Sequence, residues 1–152
     1  MKTKRVRLIV AATLWVVTTA AAQVGEGEAK YYADFSAAAK TVGKELNRLG
    51  DYLAKTNVGR NYSGECKKSS AKLAAVYHDM ETMVPPGDAV KSHRALMESA
   101  ELGARVATEL VSFFDAQFEK PELVATATDL YEQAVDKYAL ALGGMPEIGE
   151  KE

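Results

Sequence analysis

The sequence of 152 residues lacks most of the short motifs that mark catalytic and cofactor-binding sites. Its single cysteine, Cys66, cannot form a disulfide within one chain, so apolar packing must hold the fold together. There is no CxxCH motif for covalent haem and no paired ExxH motif for a di-iron site. GxSxG, HExxH, P-loop and GxGxxG patterns are also missing. These absences favour a protein without enzymatic activity.

The first 22 residues have the pattern of an export signal. Four basic residues lie within residues 1–7, an apolar run occupies residues 8–17, and Ala20 and Ala22 fit the small-x-small cleavage pattern. Residues 8–22 are fewer than the roughly 20 that a helix needs to span a bilayer. We therefore expect a cleaved signal peptide of the bacterial secretory type, and a periplasmic or secreted protein. An uncleaved membrane anchor is the alternative.

Removal of this segment leaves the chain short of positive charge. The whole sequence has 19 basic and 21 acidic residues, and residues 1–22 contain four of the basic ones and no acidic one. The remainder has 15 against 21, a net charge of −6. Nucleic acid and anionic lipid both bind clustered lysine and arginine, so neither is expected as a partner.

Four segments carry apolar or small residues in alternating steps of three and four, the spacing of helices that pack together. We expect these helices at about residues 28–56, 61–84, 89–118 and 121–142. The apolar stripes are Tyr32, Phe35, Ala39, Val42, Leu46, Leu49 and Leu53 in the first helix; Tyr62, Cys66, Ser69, Leu73, Val76, Met80 and Met83 in the second; Ala89, His93, Leu96, Ala100, Gly103, Ala107, Leu110 and Phe114 in the third; and Val124, Ala127, Tyr131, Ala134, Tyr138 and Ala141 in the fourth. On its stripe, Cys66 is interpreted as a small buried apolar residue, with pairing between chains as the alternative.

Turn residues separate the four segments. The Pro-Pro-Gly-Asp sequence at residues 85–88 stops the second helix, and Asp88 is the expected N-cap of the third. Pro121 suits the first turn of the fourth helix, although one kinked helix across this joint is an alternative.

The predicted fold is all-α, an antiparallel up-down-up-down four-helix bundle. It comprises residues 28–143, after a signal peptide at residues 1–22 and a flexible lead-in at residues 23–27. Residues 144–152 form a C-terminal tail. Because many core positions are alanine, the margin of stability is narrow, and a homodimer is plausible.

Two glycines, Gly43 and Gly50, lie one heptad apart beside the first stripe. Glycine weakens a helix by up to about 1 kcal/mol relative to alanine. The pair indicates either a neighbouring helix that passes close by or two exposed weak points.

One group of residues could bind a metal. In an antiparallel hairpin of the second and third helices, Met80, Met83, His93 and Met97 would lie within one or two layers of each other. Thioether and imidazole ligands suit Cu(I), and both can also serve as axial ligands to haem iron. The simpler interpretation is that the methionines fill gaps in the core and that the histidine bonds a turn carbonyl.

Five aromatic residues can also be interpreted in two ways. They could line a pocket for an apolar ligand, or they could be ordinary core residues, which we favour. The five are Tyr31, Tyr32, Phe35, Tyr131 and Tyr138.

Residues 80–96, METMVPPGDAVKSHRAL, contain a helix, a Pro-Pro turn and a second helix with histidine and leucine three apart. The corresponding residues are Pro85, Pro86, His93 and Leu96. This stretch resembles small exported bacterial helical-bundle domains of unknown function. The resemblance covers fewer than 20 residues, and it implies an antiparallel hairpin and an extracytoplasmic setting but no activity.

The sequence thus predicts an exported, non-enzymatic helical bundle that acts through contact with a protein partner in the periplasm or cell envelope. No cofactor is expected in this interpretation. The alternative is a copper- or haem-binding bundle that uses the Met/His group.

Overall fold

The computed structural model describes residues 25–145, and this part of the chain consists of four α-helices without a strand. The helices are α1 (Glu26–Ala54), α2 (Ser63–Glu81), α3 (Val90–Asp115) and α4 (Pro121–Gly143). The predicted all-helical class is confirmed for this part. The predicted signal peptide at residues 1–22, the first two residues of the lead-in and the tail from residue 146 onward lie outside the described residues.

The predicted apolar stripes form the core. All eight stripe residues of α3, from Ala89 to Phe114, are buried. Every stripe residue of the other helices is buried or half-buried. Cys66 is fully buried, and burial, with a smaller contribution from Glu65, raises the pKa of its thiol to about 12. The thiol is therefore protonated and shielded, as expected for a small core residue.

Helix α3 is the central element. It contacts all three other helices, most extensively α4 and α2, whereas α2 and α4 make no contact with each other within residues 25–145. Gly103 permits this central position, since a Cβ atom there would lie 3.0 Å from Leu73 of α2 and 3.2 Å from Leu46 of α1. The hydroxyl of Ser99 donates to the carbonyl of Ala134 at 2.8 Å and fixes α3 against α4.

The prediction that Asp88 caps the start of α3 is wrong. Asp88 makes no capping hydrogen bond, and α3 begins at Val90 after the turn residue Ala89. The Asp88 carboxylate instead accepts a hydrogen bond from the Tyr32 hydroxyl at 3.1 Å. The local pattern assigns the Asp88 carboxylate to the cap, but a hydrogen bond to helix α1 engages it instead.

The joint between α3 and α4 is a break and not a kink. Gln117 and Phe118 have φ values of 54° and 69°, in the left-handed region that ends a right-handed helix. Phe118 still packs its ring edge-on against Phe113 and Phe114. Pro121 then opens α4 at its first helical position, as predicted.

Candidate functional site

The three helices α1, α2 and α3 meet at a buried histidine. The hydroxyl of Tyr31 on α1 lies 3.1 Å from Nδ1 of His93 on α3, and the backbone of Met80 on α2 is close enough to the ring to affect its pKa. We call Tyr31, Met80 and His93 the His93 junction. Tyr31 is only 5% exposed to solvent, and His93 only 7%.

The proton positions in the junction follow from its burial. Burial, followed by the charges of Tyr32 and Asp88, raises the pKa of Tyr31 to about 12, so the phenol keeps its proton. Burial also lowers the pKa of His93, although the nearby Met80 backbone acts in the opposite direction. The imidazole is therefore neutral at pH 7. In the tautomer with its hydrogen on Nε2, the ring accepts a hydrogen bond at Nδ1 from the Tyr31 hydroxyl.

The four residues of the predicted metal group occupy different surroundings. Met80 is fully buried, while Met83 and Met97 are half-buried. Met83 lines a groove between α1 and α2, whereas Met97 and His93 line a second groove beside α2 and α3. Within residues 25–145, no group of three or more His, Cys, Asp or Glu side chains is arranged to hold a metal ion. The copper or haem alternative stays a prediction.

Two open grooves flank the His93 junction. The groove between α1 and α2 has a volume of about 630 Å³ and mixes apolar residues with Lys30, Asp34 and Asp79. The second groove has a volume of about 440 Å³, and Tyr77, Val90 and Met97 line it together with three charged residues of α3. Tyr31 lines the first groove and His93 lines the second. The hydrogen bond between them therefore lies between the grooves.

The five aromatic residues do not form one pocket. Tyr31 contacts Tyr32 and Phe35 near the start of α1, with ring centroids 5.4 and 6.0 Å apart. Tyr131 and Tyr138 instead lie over Gly50 and Gly43. The two glycines thus receive a neighbouring helix, which is the first of the two alternatives that their spacing allowed.

A second buried polar cluster was missed by sequence reasoning. Glu45 of α1 is 1% exposed and accepts hydrogen bonds from Arg48 at 2.7 Å, Ser69 at 2.8 Å and Lys72 at 3.1 Å. We call these four residues the Glu45 cluster. Burial raises the pKa of Glu45, but the three hydrogen bonds together outweigh it, so the net shift is downward. The carboxylate is ionised at neutral pH and joins α1 to α2.

Exposed apolar side chains concentrate at the end of the bundle that holds the His93 junction. Five large apolar residues are exposed in the described chain, and four of them lie at this end. Val84 and Val90 flank the Pro-Pro turn, while Leu140 and Leu142 lie in the last turn of α4. The proximity of Gly144 to Ser92 places the two pairs at one end, since a Cβ atom on Gly144 would lie 2.6 Å from Ser92 Oγ. We call Val84, Val90, Leu140 and Leu142 the apolar end.

Comparison of this chain with known proteins does not assign it to a family. No family model, curated protein or solved structure matches this chain. None of the helices within residues 25–145 has the length and apolar character needed to cross a bilayer.

Proposed function

We propose that this chain is an exported, non-enzymatic bundle that acts through contact with a protein partner in the periplasm or cell envelope. Export is supported by the basic start, apolar run and small-x-small pattern of residues 1–22. After cleavage the chain would begin at Gln23 and carry a net charge of −6. That charge favours a protein partner over nucleic acid or anionic lipid.

An up-down-up-down arrangement of the helices is part of the proposal. It is supported by the order of contacts between helices. Tyr131 lies over Gly50 and Tyr138 over Gly43, so residue numbers rise in α4 as they fall in α1. Likewise Lys67 near the start of α2 pairs with Asp115 at the end of α3, at 3.3 Å. This arrangement brings the α2–α3 turn and the end of α4 together at one end.

The apolar end is the observation on which the proposed contact rests. Val84 is 86% exposed and Leu140 is 63% exposed, although the core residues nearby are sealed from water. Single exposed apolar residues are common on monomers, but a concentration of them at one end is typical of a surface that another protein covers. The half-buried Met83, Met97 and Met145 adjoin this end. Flexible thioether side chains suit contact surfaces that must adapt to a partner.

Photo-crosslinking from single positions tests this proposal. A photoreactive residue at Val84 or at Leu140 should give one discrete product of higher mass in cells that export the chain. The same residue at Val58 should give none, because Val58 is 62% exposed but lies in the α1–α2 turn, away from the apolar end. The chain within the product should begin at Gln23.

The crosslinked products distinguish between the possible partners and test the proposed contact surface. A product of twice the mass of the chain identifies the partner as a second copy, and any other single mass identifies a different protein. Equal products at all three positions, or no product at Val84 and Leu140, would contradict the proposed contact surface. Recovery of the uncleaved chain from the cytoplasm alone would contradict export.

A further inference from the structure

The hydrogen bond between Tyr31 and His93 has a direction that depends on one proton. In the neutral tautomer that carries its hydrogen on Nε2, Tyr31 donates to Nδ1 of His93. Protonation of His93 puts a hydrogen on Nδ1, where it meets the hydrogen of the Tyr31 hydroxyl. The hydroxyl hydrogen must then turn away so that the bond reverses and Nδ1 donates to the Tyr31 oxygen, inside a region where Tyr31 is 5% exposed. A buried hydroxyl without an acceptor and a buried imidazolium are both unfavourable.

The neighbouring elements offer the imidazolium little compensation. On α1 the group that meets His93 is the phenol of Tyr31, and Tyr77 of α2 lines the groove beside His93. Asp88 in the turn before α3 is engaged by Tyr32. On α3 itself Arg94, Glu98 and Glu101 line the same groove, and Glu98 is paired with Lys137 of α4. Glu101 is exposed and lies two turns along the helix from His93.

The contacts that Tyr31 makes define what would move. Tyr31 is in the second turn of α1, and its ring contacts Tyr32, Phe35 and His93. Beyond it toward the start of α1, residues 25–30 are all exposed. The first turns of α1 are therefore held to the bundle mainly by this aromatic group and by the bond from Tyr32 to Asp88.

We propose that the Tyr31–His93 bond is an acid-sensitive latch, which holds the first turns of α1 against the α2–α3 hairpin and releases them when His93 is protonated. Release joins the two grooves, because Tyr31 lines one and His93 the other. It also uncovers the rings of Tyr31, Tyr32 and Phe35 beside the apolar end. The latch depends on the fold alone and not on the proposed export or partner.

The sign of the pH dependence is fixed by the direction of the His93 shift. Burial lowers the pKa of His93 in the closed bundle below the value of about 6.5 for a hydrated imidazole. Between these two pKa values the released state binds a proton that the closed state does not. The free-energy preference for the closed state is thus fully present above about pH 6.5, and it decreases as the pH falls below that value.

Hydrogen exchange of the full chain between pH 7.5 and pH 5 tests the latch. After correction for intrinsic exchange rates, the amides of residues 30–39 should exchange faster by up to about tenfold per pH unit below about 6.5. The amides of residues 46–53 at the other end of α1 should not change. Glutamine at position 93 can still accept a hydrogen bond from Tyr31, but it does not titrate. The His93→Gln variant should therefore show no acid-dependent increase.

His78 provides the matched control. It is the only other histidine, it is exposed, and it pairs with Glu81 at 3.4 Å on the outside of α2. The His78→Gln variant should keep the full acid response. In the unmodified chain, NMR titration of the two imidazole rings should show the shifts of residues 30–39 following His93 and not His78. This measurement decides the question even if His93→Gln does not fold. Unchanged exchange at residues 30–39 in acid, or an equal increase in His93→Gln, would overturn the latch.

Discussion

Replacing both Arg48 and Lys72 with methionine should lower the free energy of unfolding by about 3 kcal/mol at pH 7. The two cations are the only charged partners of Glu45, whose carboxylate is 1% exposed in the described structure. Their removal leaves a buried charge with Ser69 alone. Loss of one side of a buried ion pair typically costs about 3–5 kcal/mol. We expect the lower end of that range, because Arg48 and Lys72 are themselves 40% and 48% exposed.

The pH dependence of this variant should differ from that of the unmodified chain. Hydrogen bonds outweigh burial and lower the pKa of Glu45, so its stabilising contribution is present above about pH 4.5 and is lost as the pH falls through the lowered value. Without the cations, burial raises the Glu45 pKa instead. Protonation then relieves the buried charge, and the difference between variant and unmodified chain should shrink on acidification from pH 7.

Urea unfolding followed by circular dichroism measures both effects. The control is a Lys67→Met variant, which removes an exposed pair with Asp115 whose side chain is 51% exposed. Exposed ion pairs contribute about 0–1 kcal/mol, so this control should remain close to the unmodified chain. If the double variant also remained that close, Glu45 would not be the buried, paired carboxylate that the structure contains.

Replacing Gly43 and Gly50 with alanine should also destabilise the protein, by about 2–3 kcal/mol for the pair. Alanine normally strengthens a helix by up to about 1 kcal/mol over glycine. Here a Cβ atom would lie closer than 3.0 Å to the hydroxyl of Tyr138 at one site, and 2.5 Å from that of Tyr131 at the other. Each rigid ring must therefore swing away from α1. Such overpacking typically costs about 1–3 kcal/mol per site.

Tyr138 loses a hydrogen bond as well as packing. Its hydroxyl donates to the carbonyl of Ala39 at 3.1 Å, a bond that a displaced ring cannot make. A hydrogen bond of this kind contributes about 1 kcal/mol. Tyr138→Phe removes the hydroxyl that would collide with the new methyl group. In that background, Gly43→Ala should therefore cost less than it does in the unmodified chain.

Gly64 is the matched control for the glycine pair. It lies in the first turn of α2, and a Cβ atom there would have no neighbour within 4 Å. Thermal unfolding should show Gly64→Ala at or slightly above the stability of the unmodified chain. A rise in stability for Gly43→Ala and Gly50→Ala as well would mean that the two tyrosines do not lie over α1.

The periodicity of the sequence was sufficient to locate the helices and their buried faces. Every residue of the predicted α3 stripe is buried, because a step of three and four specifies one face of a helix whatever covers it. Helix ends were less accurate. The second helix stops at Glu81 instead of Val84, and the third stops at Asp115 instead of Phe118. In the second case the left-handed conformations of Gln117 and Phe118 end the helix, and neither residue type announces that conformation.

Contacts between different helices could not be predicted in the same way. His93 was placed correctly on a buried face, but the pattern of its own helix did not indicate that Tyr31 of α1 would be its hydrogen-bond partner. Glu45 was overlooked because a charged residue beside a stripe ordinarily faces water. Ser69 and Lys72 from α2, together with Arg48 of α1 itself, make its burial tolerable. A pattern within one helix gives the buried face but not the residue that meets it.

Native-state hydrogen exchange tests the central claim most directly, which is that four apolar stripes close into one core around α3. The amides of residues 96–110 in α3 should exchange slowest of all, and only through global unfolding, because this segment contacts the three other helices. Their exchange free energies should equal the free energy of unfolding from urea denaturation. Exchange of residues 96–110 that is as fast as that of the first turns of α1, or independent of global stability, would contradict a common core.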